Sequence, residues 1–175
     1  ALASSLPSHG SKPAAAAACA VAAAVAAGVA GGYSPAEVLG AAYDAAVFGE
    51  KHGAEITAPS VSKRIRMAEY IVDAAGETDI RNIIDELVGI FGASMFAYES
   101  VPLTLGIFYA VDGNAKDGIL AAVNAGDDAD TNGAICGNIC GAYSGAKALP
   151  EEWCVRVQKT SCLDLRGTAA KLIER

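Results

Sequence analysis

Histidine is almost absent from this chain: there are two in 175 residues, His9 and His52, and neither lies beside a cysteine. The five cysteines, at positions 19, 136, 140, 154 and 162, form no Cys-x-x-Cys pair. These absences argue against a thiolate–imidazole zinc site. Cys136 and Cys140, four residues apart, read instead as small buried hydrophobes in a reducing compartment. Aromatic residues make up 6% of a chain that is 53% hydrophobic, and no stretch alternates apolar and polar residues long enough to form a convincing strand. A β-sandwich needs both features, so that class is excluded. Basic residues are also scarce: 13 Lys and Arg stand against 20 Asp and Glu, a net charge of −7. A general nucleic-acid surface needs clustered positive charge. The same acidity opposes an anionic ligand unless a cation intervenes.

Alanine and 19 glycines dominate what remains, a composition suited to closely packed helices. Residues 14–30 form a long apolar run behind Lys12, and their length fits a signal sequence or a membrane span. Alanine adds little to membrane insertion, so the run reads as a buried helix of a cytoplasmic protein without a membrane partner. Val21, Val25 and Val29, recurring every fourth residue, are its expected contact face. Pro13 suits the first turn of that helix, and Gly28 to Gly32 ends it. Ser34-Pro35-Ala36-Glu37 is a capping box with proline at the first helical position. Further helices are expected from Ser60 or Ser62 to Gly76, from Thr78 to Gly89, over 101–111 and 116–124, from the acidic turn at 128, from Pro150, and over 168–174. The fold class is all-α, in one unit spanning 1–175. Gly133, Gly137 and Gly141 form a stripe that lets another helix approach closely.

One string stands apart: Gly126-Asp127-Asp128-Ala129-Asp130-Thr131-Asn132-Gly133, running into a small-residue helix that ends Gly141-Ala142-Tyr143-Ser144-Gly145. It holds three carboxylates and a hydroxyl within five positions. Asp128, Asp130 and Thr131 can converge if the backbone turns there, and Mg²⁺, Mn²⁺ or Ca²⁺ take such oxygen donors. The same residues also suit capping of the following helix, whose first N–H groups attract oxygen acceptors and negative charge. A single cap accounts for one aspartate and leaves two more crowded beside it.

This string resembles the C-terminal metal motif of the ADP-ribosylglycohydrolase family, usually Gly-Gly-Asp-Thr-Asp-Thr followed by a small-residue helix ending Gly-Ala-Tyr-x-Gly. Asp127 stands where the family usually has Gly, and Ala129 where it usually has Thr. Tyr98-Glu99-Ser100-Val101-Pro102 resembles the family's Phe-Glu-Ser-Val-Pro-type segment. Leu149-Pro150-Glu151-Glu152-Trp153 resembles its Pro-Glu-x-Trp segment. All three occur in the family's order.

The resemblance implies a compact helical hydrolase that cleaves the glycosidic bond of ADP-ribosylated substrates, using Mg²⁺ or Mn²⁺, two ions in the complete site. On that pattern Asp128, Asp130 and Thr131 are metal ligands, and Asp128 and Asp130 are catalytic. His9 matches the family's Thr-His turn and would contact ADP-ribose. Ser94 and Met95 fall in a segment that passes the adenosine portion. Tyr98 and Tyr143 suit either adenine stacking or helix packing, Glu99 suits a helix cap, and His52 suits the C-terminal end of a helix. The family's N-terminal Thr-Asp-Asp-Thr-like ligand motif is not in this sequence. The chain is therefore expected to be the C-terminal portion of the domain, as a fragment, a processed product or one subunit of a split enzyme, with an N-terminal half or a partner chain completing the site. The non-catalytic alternatives are a crystallin-like structural relative and an ADP-ribose binding module.

Overall fold

The computed structural model describes residues 1–173. Among the described residues ten α-helices follow one another: α1 (Leu2–Ser5), α2 (Lys12–Ala30), α3 (Pro35–Glu50), α4 (Val61–Ala75), α5 (Ile80–Phe91), α6 (Ala97–Ala110), α7 (Ala115–Asn124), α8 (Ala129–Ser144), α9 (Glu151–Ser161) and α10 (Leu165–Ile173). Among the described residues there is no strand, only a single bridge between Ser11 and Ala54. The all-α expectation holds. Glu174, the expected end of the last helix, lies outside the described residues.

Local chemistry sets most boundaries. Ser34 accepts from the Glu37 backbone N–H at 3.3 Å while the Glu37 carboxylate accepts from the Ser34 N–H at 2.7 Å, so the capping box forms as read. Between the two serines offered for α4, Ser60 is the cap, accepting from the Lys63 N–H at 3.2 Å. Ser62 instead gives its hydroxyl and its N–H to Glu50 at 2.9 and 3.1 Å, tying α4 to the end of α3. Burial pushes the Glu50 carboxyl up, but these bonds, that from Ser60 and the Lys12 charge together hold it below its ordinary value. The α5 cap is Asp79, not Thr78: its carboxylate accepts from the Arg81 N–H at 3.0 Å, and the Thr78 hydroxyl turns back to Ala75. That helix runs past Gly89 to Phe91 and stops at Gly92, whose φ of +82° breaks it.

The centre of the molecule is α6. Every side chain from Ser100 to Phe108 is buried, with α2, α3, α4, α5, α7 and α8 packed about it. Its start at Ala97 precedes the expected one at residue 101, because Pro102 lies inside the helix rather than at its first turn. Proline has no N–H for the carbonyl four residues back, here that of Tyr98. Arg64 of α4 supplies the missing donor, its Nη1 lying 3.0 Å from the Tyr98 oxygen and 3.1 Å from the Phe91 oxygen at the end of α5.

Helix α2 is long and apolar enough to cross a membrane by length and composition. In this fold it packs against α3, α4, α6 and α8. Its buried face differs from the expected one: Ala16, Ala20 and Ala24 are fully covered, Val21 and Val25 are half-buried, and Val29 is 72% exposed. Close approach selects the smaller side chains. A Cβ at Gly49 of α3 would lie 2.5 Å from the Ala15 carbonyl oxygen and 2.6 Å from Ala16 Cα, so α2 and α3 meet backbone to backbone. The glycine stripe of α8 behaves in part as expected. Gly133 and Gly137 lie against Val123 and Ile119 of α7, whereas Gly141 faces open space. Cys136 and Cys140 are fully buried on the same helix, their sulfurs 3.8 Å apart, while Cys162 is exposed. The hydrogen bond with Cys140 and burial hold the Cys136 thiol well above its usual pKa.

Candidate functional site

The acidic string forms the turn from α7 into α8. Gly126 and Asp127 both take left-handed conformations, with φ of +82° and +49°. Glycine adopts that region freely, whereas aspartate occupies it at a cost. A Gly-Gly pair at these two positions thus has a physical basis, and Asp127 is a strained substitute for the second. The turn delivers Asp128 to the N-cap of α8 and Asp130 to its first turn.

Capping does not account for these carboxylates. The Asp128 side chain makes no cap hydrogen bond although it occupies the cap position. The ion pairs among the described residues join Lys12 to Glu55, Arg66 to Glu69 and Asp79 to Arg81, all away from this turn. Asp127, Asp130 and Thr131 are exposed, and Asp128 is half-buried. Two uncommitted carboxylates and a hydroxyl thus stand at the positive end of a helix. Hard oxygen donors of this kind fit a divalent cation. Among the described residues no three carboxylate, imidazole or thiol groups converge closely enough to enclose an ion.

The structure brings the 92–95 segment to this turn. The Ala93 carbonyl accepts the Asp128 backbone N–H at 3.2 Å and the Asn132 side-chain amide at 2.7 Å. Ser94 is half-buried, and its hydroxyl and N–H both reach Glu99 Oε2, at 2.7 and 3.2 Å. Glu99 therefore anchors the segment that precedes α6, a larger task than the helix cap read from sequence. Met95 is 78% exposed, and Phe96 beside it is 52% exposed and stacks on Tyr98 with ring centroids 5.2 Å apart. Tyr143 packs edge-on against Phe108, the helix-packing role of the two considered for it.

His9 is not joined to the turn by any hydrogen bond. It sits exposed after α1, with its Nδ1 2.9 Å from the Ser8 hydroxyl and its backbone N–H on the Ser5 carbonyl at 2.8 Å. His52 Nδ1 lies 2.7 Å from the Phe48 carbonyl, at the end of α3 as expected. A groove of about 500 Å³ opens between α5 and α7 over Ile84, Asp117 and Leu120 and includes none of Asp127, Asp128, Asp130 or Thr131. Two residues that shape the site escaped the sequence reading. Asn132 was overlooked beside three louder aspartates, although its place four residues after Asp128 puts both on one helix face. Arg64, three residues after Val61, borders the apolar face of α4, and an arginine bordering a buried stripe was the available signal.

An all-helical domain with an uncommitted acidic turn at a helix start defines the class. The ADP-ribosylglycohydrolase family profile matches residues 1–175. The chain belongs to the ADP-ribosylglycohydrolase family. An uncharacterized protein of Archaeoglobus fulgidus is 33% identical over 93 residues, which are 53% of this chain and 27% of that protein. The match thus spans about a quarter of that relative's length.

Proposed function

We propose that this chain supplies the C-terminal half of the active site of a metal-dependent hydrolase acting on the glycosidic bond of ADP-ribosylated substrates. The observation that carries the proposal is the pair Asp128 and Asp130, uncommitted at the start of α8 within a chain that matches the family along its whole length. Asp128, Asp130 and the Thr131 hydroxyl would hold Mg²⁺ or Mn²⁺, with the remaining ligands coming from an N-terminal portion or a partner chain. A bound cation would orient the ribose hydroxyls and steady charge that develops during bond cleavage. It would also reconcile a net charge of −7 with a pyrophosphate ligand.

Other residues of this chain would contact the substrate. The 92–95 segment, held by Glu99 and by the 128–132 turn, offers Ser94, Met95 and the exposed Phe96 face to the substrate beside the carboxylates. His9 would contact ADP-ribose from the turn before α2. In the reaction a water oxygen bonds to the anomeric carbon as the bond to the acceptor breaks, and the acceptor leaves with a proton. The base that takes the proton from water belongs to the other half of the site. The setting would be a cytoplasmic protein, with α2 as a core helix rather than an anchor.

In a protein containing the whole domain, Asp130→Ala is expected to abolish metal-dependent release of ADP-ribose while the far-ultraviolet circular dichroism stays unchanged. Undiminished turnover in that variant would sink the assignment.

A further inference from the structure

We propose that Asn132 is a positioning residue that makes the acidic turn and the 92–95 segment one mechanical unit, so that a cation held at the turn also orders the substrate segment. The role rests on the cation reading of Asp128, Asp130 and Thr131. Three anchors hold the connecting segment between α5 and α6. Arg64 takes the Phe91 carbonyl, Glu99 takes Ser94, and the Ala93 carbonyl takes Asp128 N–H and Asn132 Nδ2. Only the third joins this segment to the acidic turn. The Asp128 N–H bond is the longer, at 3.2 Å, and comes from a half-buried residue, whereas the Asn132 bond is 2.7 Å and fully buried.

The chemistry of Asn132 points the same way. Its amide can face Ala93 in one orientation only, since the flipped form would set oxygen against oxygen. With Nδ2 so committed, Oδ1 is buried without a donor among the described residues. An unmatched buried acceptor is costly, and a leucine, with the same branched skeleton but no polar atoms, would avoid it. The asparagine is therefore a poor choice for packing alone and a good one for holding a carbonyl. Its Oδ1 remains able to accept from a buried water. Because Asn132 follows Thr131 directly in the first turns of α8, a cation that fixes Asp128, Asp130 and Thr131 also fixes the asparagine. The Ala93 carbonyl passes that order to Ser94 and Met95. By linkage, a ligand that orders the 92–95 segment tightens the cation to the same degree.

The test is amide hydrogen exchange, residue by residue, on a protein containing the whole domain, with and without Mg²⁺. In the natural sequence, Mg²⁺ is expected to slow exchange about tenfold at Ser94 and Met95, although neither is a ligand, as well as at the 128–131 turn. In Asn132→Leu the turn is still protected by Mg²⁺, but the effect at Ser94 and Met95 falls below about twofold. Asn132→Ala serves the same comparison if the leucine variant does not fold. Retention of the full effect at Ser94 and Met95 in a folded variant overturns the role. So does protection of the turn alone in the natural sequence. No Mg²⁺ effect at the turn itself would overturn the cation reading, and the positioning role would fall with it.

Discussion

Pro102 removes a donor from the middle of α6 and Arg64 replaces it: the Tyr98 carbonyl, denied the residue-102 N–H, accepts Arg64 Nη1 at 3.0 Å. The guanidinium lies 5.7 and 5.6 Å from the Phe91 and Tyr98 ring centroids and also holds the Phe91 carbonyl. Losing a partly buried charged donor with two carbonyl acceptors should cost about 2–3 kcal/mol in Arg64→Met. Restoring the backbone donor with Pro102→Ala should recover part of that loss. A double-mutant cycle by urea unfolding is expected to give a coupling of about 1 kcal/mol. Strict additivity would show that Arg64 does not stand in for the missing N–H.

Two glycines of α3 should respond to alanine with opposite signs. At Gly49 a Cβ would collide with the backbone of α2, 2.5 Å from the Ala15 oxygen, whereas at Gly40 it meets nothing within 4 Å. Gly49→Ala should therefore destabilise by about 2–3 kcal/mol. Gly40→Ala, in a helix interior with room to spare, should stabilise by about 0.5–1 kcal/mol. Thermal unfolding of the two variants checks the pair, and a similar Tm for both would contradict the close α2–α3 contact.

These cases show where the sequence was legible. The capping box of Ser34 and Glu37 was readable because both partners lie within one helical turn. The acidic turn was readable because its donors are contiguous. Val29 misled because periodicity marks a face but not which face a neighbour selects, and α3 selects alanines by approaching so closely. Pro102 misled because its tolerance inside α6 depends on Arg64, 38 positions earlier in the chain. The tie from Asn132 to Ala93, 39 positions apart, left no local mark either.

Asp127 should be replaceable by glycine with a gain. Its φ of +49° is tolerated by aspartate better than by most side chains but still at a cost relative to glycine, and the residue is exposed at the rim of the turn. Asp127→Gly should raise stability by about 0.5–1 kcal/mol and leave cation binding in place, because Asp128 and Asp130 remain. Chemical denaturation with a Mn²⁺ titration measures both effects. A loss of cation affinity as large as that of Asp130→Ala would make Asp127 a ligand.

The acid limb of stability should include Asp79. The Arg81 side chain and then its backbone N–H hydrogen-bond the carboxylate and lower its pKa to about 2. The sign follows directly: a depressed folded value gives stability that is complete above the ordinary value of 3.8 and is lost as pH falls toward about 2. Carboxyl NMR should find Asp79 titrating well below the ordinary aspartate value of 3.8, with the first turn of α5 fraying in step. Titration near 3.8 would contradict the capping geometry.

The central claim is that this chain carries one half of a hydrolytic metal site. The direct measurement is ADP-ribose release from an ADP-ribosylated peptide, with Mg²⁺ and with a chelator, by the chain alone and by the chain mixed with the N-terminal portion of a family member. The chain alone should be silent, because a two-metal site needs ligands that its described residues do not bring together. The mixture should release ADP-ribose with Mg²⁺ and stop with the chelator. Robust metal-dependent release by the chain alone, or none from a well-formed complex, would contradict the account.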